Sequence, residues 1–177
     1  ESAELNYGAL DNYAKAKFEI EHVQAESAKN ANILGLRIFA GYGPGEEHKN
    51  ESASVPYLFC KKMLKGEPPV IFGDGNQIRD FIYIDDVANA IMVLGERAEE
   101  PIVNVGRGEA TSFNELAEII NRVLGTQIEP VRVSKPNSYA EKTLPNISLL
   151  KKYYTPEFSL EEGLKRTIAR LKNSAAS

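Results

Sequence analysis

Segments of helical and strand character alternate along nearly the whole 177-residue chain, and this alternation limits the fold more than any other feature. Residues 11–30, 53–65, 85–96, 112–125, 147–154 and 159–174 read as helices. Residues 33–39, 70–72, 79–84, 101–106 and 128–133 read as strands, being short apolar runs bounded by turn residues. Residues 40–52 and 134–146 read as loops, and the glycine-rich "GYGPG" (41–45) as a turn. Such alternation predicts an α/β fold rather than a helical bundle or an all-β sandwich.

Local chemistry supports several of these boundaries. Asp11 or Asn12 can cap the first helix, where Ala16, Ile20 and Val23 form an apolar stripe one and two turns apart. Pro56 is tolerated in a first helical turn. Asp85 and Asp86 stand before "VANAI" and are expected to cap that helix. Ser112 and Glu115 have capping-box spacing, as do Ser159 and Glu162, and Gly125 is placed to end a helix.

Composition narrows the function. The net charge of −4 gives no general attraction to nucleic acid or to an anionic membrane surface. Cys60 is the only cysteine, so no intrachain disulfide and no cysteine metal cluster is expected, which fits a cytoplasmic setting. His22 and His48 are too far apart to suggest a zinc motif. No apolar run approaches the ~20 residues of a membrane span. The start, "ESAELNYG", lacks a signal-peptide layout.

One spacing suggests proton transfer. In "NYAKAK" (12–17), Tyr13 precedes Lys17 by one helical turn, so both side chains can serve one site. A free tyrosine titrates near 10; a neighbouring ammonium stabilises its phenolate and brings it toward use as a base. The spacing alone is weak, because roughly 0.6 such match is expected by chance in this composition. A second match, Tyr57 and Lys61, does occur in "YLFCK". A surface helix with an aromatic ring against a lysine stem would give the same pattern.

Longer blocks separate the two pairs. "LRIFAGYGPG" (36–45), "GDGNQIRDFIYIDDVANAI" (73–91) and "NVGRGEATSFNELAEII" (104–120) follow "YAKAK" in that order. Together they resemble the C-terminal half of the extended short-chain dehydrogenase/reductase family, the NAD-dependent nucleotide-sugar epimerases and dehydratases. The similarity runs from about residue 7 to about residue 168. It implies the last strands and helices of a Rossmann-type sheet plus a small substrate-binding region. Residues 1–50 would be the remnant of the dinucleotide-binding domain. Residues 51–177 would mainly bind nucleotide-sugar, with 85–106 returning to the sheet.

The resemblance also implies residue roles. Tyr13 and Lys17 match the catalytic and cofactor-contacting pair, since they precede "LRIF"; Tyr57 and Lys61 follow it. Arg79 matches the arginine that binds the substrate diphosphate, a task suited to a guanidinium fork; an ion pair with Asp80 or Asp85 is the structural alternative. Phe72 falls where related epimerases set an aromatic ring against the nucleotide base, and core packing is its alternative. Val55, in "ASVPYLF", matches the helix start that wraps the nucleotide. Lys135 is the substitute for a second phosphate-binding arginine, because "KPN" (135–137) and "LPN" (144–146) stand where the family has "RPG" and an "AD" motif. Ala40 stands where the family has a substrate-contacting Asn.

The implied activity is NAD-dependent epimerisation of a nucleotide-sugar, with UDP-hexose 4-epimerisation first. ADP-heptose 6-epimerisation, favoured by "EEHKNESASV", and nucleotide-sugar dehydration are the alternatives. A homodimer is implied as well. No G-x-x-G-x-x-G occurs in the sequence, so the NAD site is expected to lie largely outside these residues. A reading of a different class follows from that: a catalytically silent piece that binds nucleotide-sugar or forms an interface.

Overall fold

The computed structural model describes residues 12–27, 31, 33–136 and 139–175, leaving aside the side chains of Tyr13 and Ala175. The expected cap at Asp11 and the helix end over 28–30 lie outside the described residues.

Helix α1 (Asn12–Ser27) leads to strand β1 (Gly35–Ile38), which pairs in parallel with β6 (Ile102–Val105). Between these two strands the chain forms β2 (Gly41–Tyr42), a 3-10 segment (Glu47–Ser52), α2 (Val55–Met63), β3 (Val70–Phe72), β4 (Ile78–Arg79), β5 (Ile82–Tyr83) and α3 (Ile84–Arg97). After β6 come β7 (Thr111–Ser112), α4 (Phe113–Leu124), β8 (Val131–Val133), β9 (Lys142–Thr143), a 3-10 turn (Leu150–Lys152) and α5 (Leu160–Ala175). Parallel pairs β1–β6, β2–β5 and β3–β8, with helices between them, give the expected α/β architecture.

Two apolar clusters hold the molecule together. One gathers Phe59, Cys60 and Met63 of α2, Leu116 and Ile120 of α4, and Leu164 and Ile168 of α5. The other packs Val87, Ala90 and Leu94 of α3 against Val103 and Val105 of β6. Strand β5 joins them: its side chains alternate, so Ile82 faces one cluster and Tyr83 the other.

Where the sequence signal was local, the structure agrees with it. Ser112 and Glu115 form a reciprocal capping box, and Gly125 closes α4 in the left-handed region at φ 69°. Ser159 and Glu162 bond reciprocally at the start of α5. Strand β3 has the expected limits.

Four expectations are corrected. The strand expected over 79–84 is two short strands, β4 beside β7 and β9 and β5 beside β2; between them the Asp80 carboxylate accepts hydrogen bonds from the amides of Arg107 (2.9 Å) and Gly108 (2.6 Å). The loops 40–52 and 134–146 contain β2, the 3-10 segment and β9, and the helix expected over 147–154 is only the 3-10 turn. Asp85 and Asp86 do not cap α3. Its N-cap is Tyr83, without a side-chain bond. Asp86 is instead buried at 0% exposure and accepts from the Tyr154 hydroxyl (2.6 Å) and the amides of Glu157 (2.8 Å) and Phe158 (3.1 Å). Burial of this carboxylate is offset by three donors, two on Oδ1 and one on Oδ2. The apolar stripe of α1 faces outward: Ile20 is 62% and Val23 61% exposed. Among the described residues no helix is long and apolar enough to cross a membrane.

Candidate functional site

Strand β4 is the centre of the site. It lies between β7, antiparallel with Arg79 opposite Thr111, and β9, parallel with Arg79 opposite Thr143. Each neighbour delivers one aromatic ring. Phe113 follows β7 directly as the first residue of α4, and Tyr139 shortly precedes β9. The Arg79 guanidinium therefore sits over both rings, 5.6 Å from the Phe113 centroid and 5.1 Å from that of Tyr139. Its nitrogens donate to the carbonyls of Ile78 and Ala140, each at 2.8 Å. Two of five N–H donors are thus used to fix a flat cation whose remaining edge suits an anion.

Arg79 lines a cavity of about 300 Å3 together with Glu46, Lys49, Ser54, Val55 and Tyr139. A second cavity of about 630 Å3 adjoins it and is walled by Val55, Phe72, Phe113 and Tyr139, with Lys61, Lys62 and Lys65 around it. Val55, Phe113 and Tyr139 line both, so the two spaces share a wall. Both volumes lie in the range of small-molecule sites. Phe72 ends β3, and its ring lies 5.4 Å from Tyr139. Gln77, buried, donates to the Phe72 carbonyl at 2.9 Å and so ties β3 to β4. Burial raises the Tyr139 hydroxyl above its ordinary value, against the pull of Arg79.

The structure thus brings Arg79, Val55 and Phe72 together. Lys135 lies elsewhere: it pairs with Glu141, stands beside Gly73, and lines neither cavity. Asp80 and Asp85 are not the partners of Arg79. Asp80 holds the amides of Arg107 and Gly108, and Asp85 is 3.7 Å from Arg166. Tyr57 is buried at the base of α2, while Lys61 reaches the larger cavity.

The other expected pair sits on α1. Tyr13 has its backbone in this helix, and its side chain lies outside the described residues. Lys17 is exposed one turn later and lines neither cavity. Helix α1 is tied to the sheet by the Gln24 amide, which donates to the carbonyls of Ile33 (3.1 Å) and Pro101 (2.9 Å), and by Glu21, which binds Arg37 at 2.6 Å.

Sequence reasoning missed Phe113, Tyr139 and Glu46. Tyr139 had a usable signal, an aromatic residue in an otherwise polar loop. Phe113 looked like an ordinary core position, and Glu46 like one more charge in a loop.

Three comparisons place the chain among known proteins. Residues 1–106 match the model of the NAD dependent epimerase/dehydratase family. A candidate UDP-glucose 4-epimerase of Methanocaldococcus jannaschii is 40% identical over 141 residues, 78% of this chain and 45% of that protein. An ADP-L-glycero-D-manno-heptose-6-epimerase of Brachyspira hyodysenteriae is 36% identical over 129 residues, 70% of this chain and 41% of that protein. The crystal structure of a Thermotoga maritima UDP-glucose 4-epimerase with UDP-glucose superposes with a TM-score of 0.84 at 30% identity, over 90% of this chain and 53% of that one. The chain spans about half the length of these relatives. It belongs to the NAD dependent epimerase/dehydratase family.

Proposed function

We propose that the chain supplies the nucleotide-sugar site of an NAD-dependent epimerase acting on a UDP-hexose at C4. The observation that carries this reading is Arg79 held over Phe113 and Tyr139 in a cavity that adjoins the Phe72 wall. A cation for a diphosphate stands next to aromatic surface for a base, which is the division of labour a nucleoside diphosphate requires. Val55 closes the shared wall, and Lys135, beside Gly73, would have to leave Glu141 to serve as the second phosphate-binding cation.

In this reading Tyr13 is the acid/base. Its phenolate takes the proton of the sugar hydroxyl while hydride leaves the adjacent carbon, and it returns the proton after hydride comes back to the other face of the keto-sugar. Lys17 keeps the phenol ionisable and hydrogen-bonds the cofactor ribose. The residues present fit one end of NAD only. Lys17 on the exposed face of α1 suits ribose hydroxyls, while no G-x-x-G-x-x-G turn exists in the sequence for the pyrophosphate. Bound NAD would supply the hydride acceptor.

The domain division at residue 50, with 85–106 returning to the sheet, belongs to the same proposal and is supported by the two separate apolar clusters. A homodimer is included too, supported by the outward Ile20 and Val23 of α1. A cytoplasmic location fits the free thiol of Cys60. An ADP-heptose substrate is the second reading, favoured by the Brachyspira relative.

Calorimetric titration of the 177-residue chain with UDP, ADP, UDP-glucose and NAD tests these readings. UDP and UDP-glucose are expected to bind the chain, and Arg79→Ala to weaken both at least about tenfold, the loss of a charged hydrogen bond. Tighter ADP than UDP binding would transfer the assignment to the ADP-sugar class. Binding of no nucleotide would remove the site.

A further inference from the structure

Glu46 stands out among the residues that line the smaller cavity. Only 6% of it is exposed, yet it shares that cavity with the cation Arg79. A buried carboxylate beside an anion site should repel the anion unless its charge is already engaged. It is engaged fully. Oε1 accepts from the Gly43 amide (3.2 Å) and the Ser54 hydroxyl (2.7 Å); Oε2 accepts from the Ser54 amide (2.8 Å) and from Lys49 Nζ (3.3 Å). With no acceptor capacity left over, Glu46 is not a base for a ligand.

These bonds span the loop. They reach three residues back to Gly43 and eight forward to Ser54. Ser54 is also the N-cap of α2, where its hydroxyl accepts from the Tyr57 amide at 3.4 Å. The Lys49 pair is half exposed and contributes little by itself; the backbone and hydroxyl bonds do the holding. The loop they close needs holding, since Asn50 sits at φ 48° and ψ −122°, a costly conformation for a residue with a side chain.

We propose that Glu46 is a positioning residue, a buried clasp that fixes the 43–54 loop and the start of α2 as the wall of the anion cavity. The inference rests on the nucleotide-sugar reading above. Ligand affinity then depends on a carboxylate whose acceptors are all engaged by the protein.

The test compares E46Q, E46A, S54A and the double variant E46Q/S54A in the full 177-residue chain. Amide hydrogen exchange is read first, without ligand. Faster exchange at Gly43 and Ser54, with the amides of α4 unchanged, is expected in E46Q. Titration with UDP and ADP is read second. At least tenfold weaker binding is expected in E46Q, and the double variant should lose less than the sum of the E46Q and S54A losses, because both changes open one clasp while S54A also removes the α2 cap. General damage to the fold would instead add and would spread to α4. Unchanged exchange, or unchanged affinity in E46Q while the unaltered chain binds, overturns the clasp alone. Failure of the unaltered chain to bind UDP or ADP overturns the nucleotide-sugar reading, and the exchange data still decide whether Glu46 holds the loop.

Discussion

Helix α1 and helix α2 carry the two Tyr-x-x-x-Lys pairs of the chain, and they are held in opposite ways. Helix α2 has a Ser54 cap and buries Tyr57, Phe59, Cys60 and Met63. Helix α1 turns Ile20 and Val23 outward and meets the sheet through the polar contacts of Gln24 and Glu21. The pair in the firmly packed helix is the one the family pattern passes over, since Tyr57 is committed to the core. The pair on α1 is the one matching the catalytic motif. Arg79 and the rings around it are organised by neighbours within the described chain, whereas Ile20 and Val23 of α1 are exposed among the described residues.

Substitutions can break this contrast. The largest effect is expected from Asp86→Ala, which leaves the Tyr154 hydroxyl and two amides without their acceptor. Urea unfolding should show a loss of about 3 kcal/mol, against about 0.5 kcal/mol or less for the exposed neighbour Asp85→Ala. Equal effects would mean that the 154–158 segment is not anchored through α3. Gly163→Ala comes next. A Cβ there would run into the Tyr42 hydroxyl and lie 2.9 Å from the Tyr83 ring, so overpacking of about 2 kcal/mol should appear as a lower Tm.

Arg79→Lys should follow, read as affinity rather than stability. A lysine keeps the charge but cannot stack flat on Phe113 and Tyr139, so UDP binding should weaken several-fold, by about 1 kcal/mol. The pH dependence is smaller. Burial pushes the Glu46 carboxyl up, but its bonds to Ser54, Gly43 and Lys49 outweigh that and hold it below the ordinary value of 4.5. Its contribution is therefore present above that value and is lost as pH falls through the lowered one. Acid unfolding of E46Q should lack this part of the slope. The smallest effect on the stability of a single copy is expected from Ile20→Ser, within about 0.5 kcal/mol for an exposed position. The proposed homodimer adds a concentration-dependent loss on top of it, and no such loss at any concentration would count against α1 as the dimer face.

What the sequence revealed depended on range. Both capping boxes were readable because Ser112 and Glu115, like Ser159 and Glu162, satisfy each other within one turn. Asp86 was misread for the same reason in reverse. Its local position suits a cap, but its partners lie 68 to 72 residues away and offer three donors at once. The two-residue strands β2, β7 and β9 carry no periodicity of their own and exist only through their neighbours. Within the candidate site, the positions of Arg79, inside a long motif, and of Phe72, just before it, were legible. The rings that hold Arg79 were not, since their arrival depends on the register of β4 between β7 and β9.

Cys60 gives the packed region a built-in sensor. It is the only thiol of the chain, it is 0% exposed on α2, and burial pushes its pKa up to about 12. A thiolate-selective alkylating reagent at neutral pH meets neither an accessible nor an ionised sulfur until α2 separates from α4 and α5. Labelling at this one atom therefore counts opening events of the wall behind both cavities, with no introduced dye or tag.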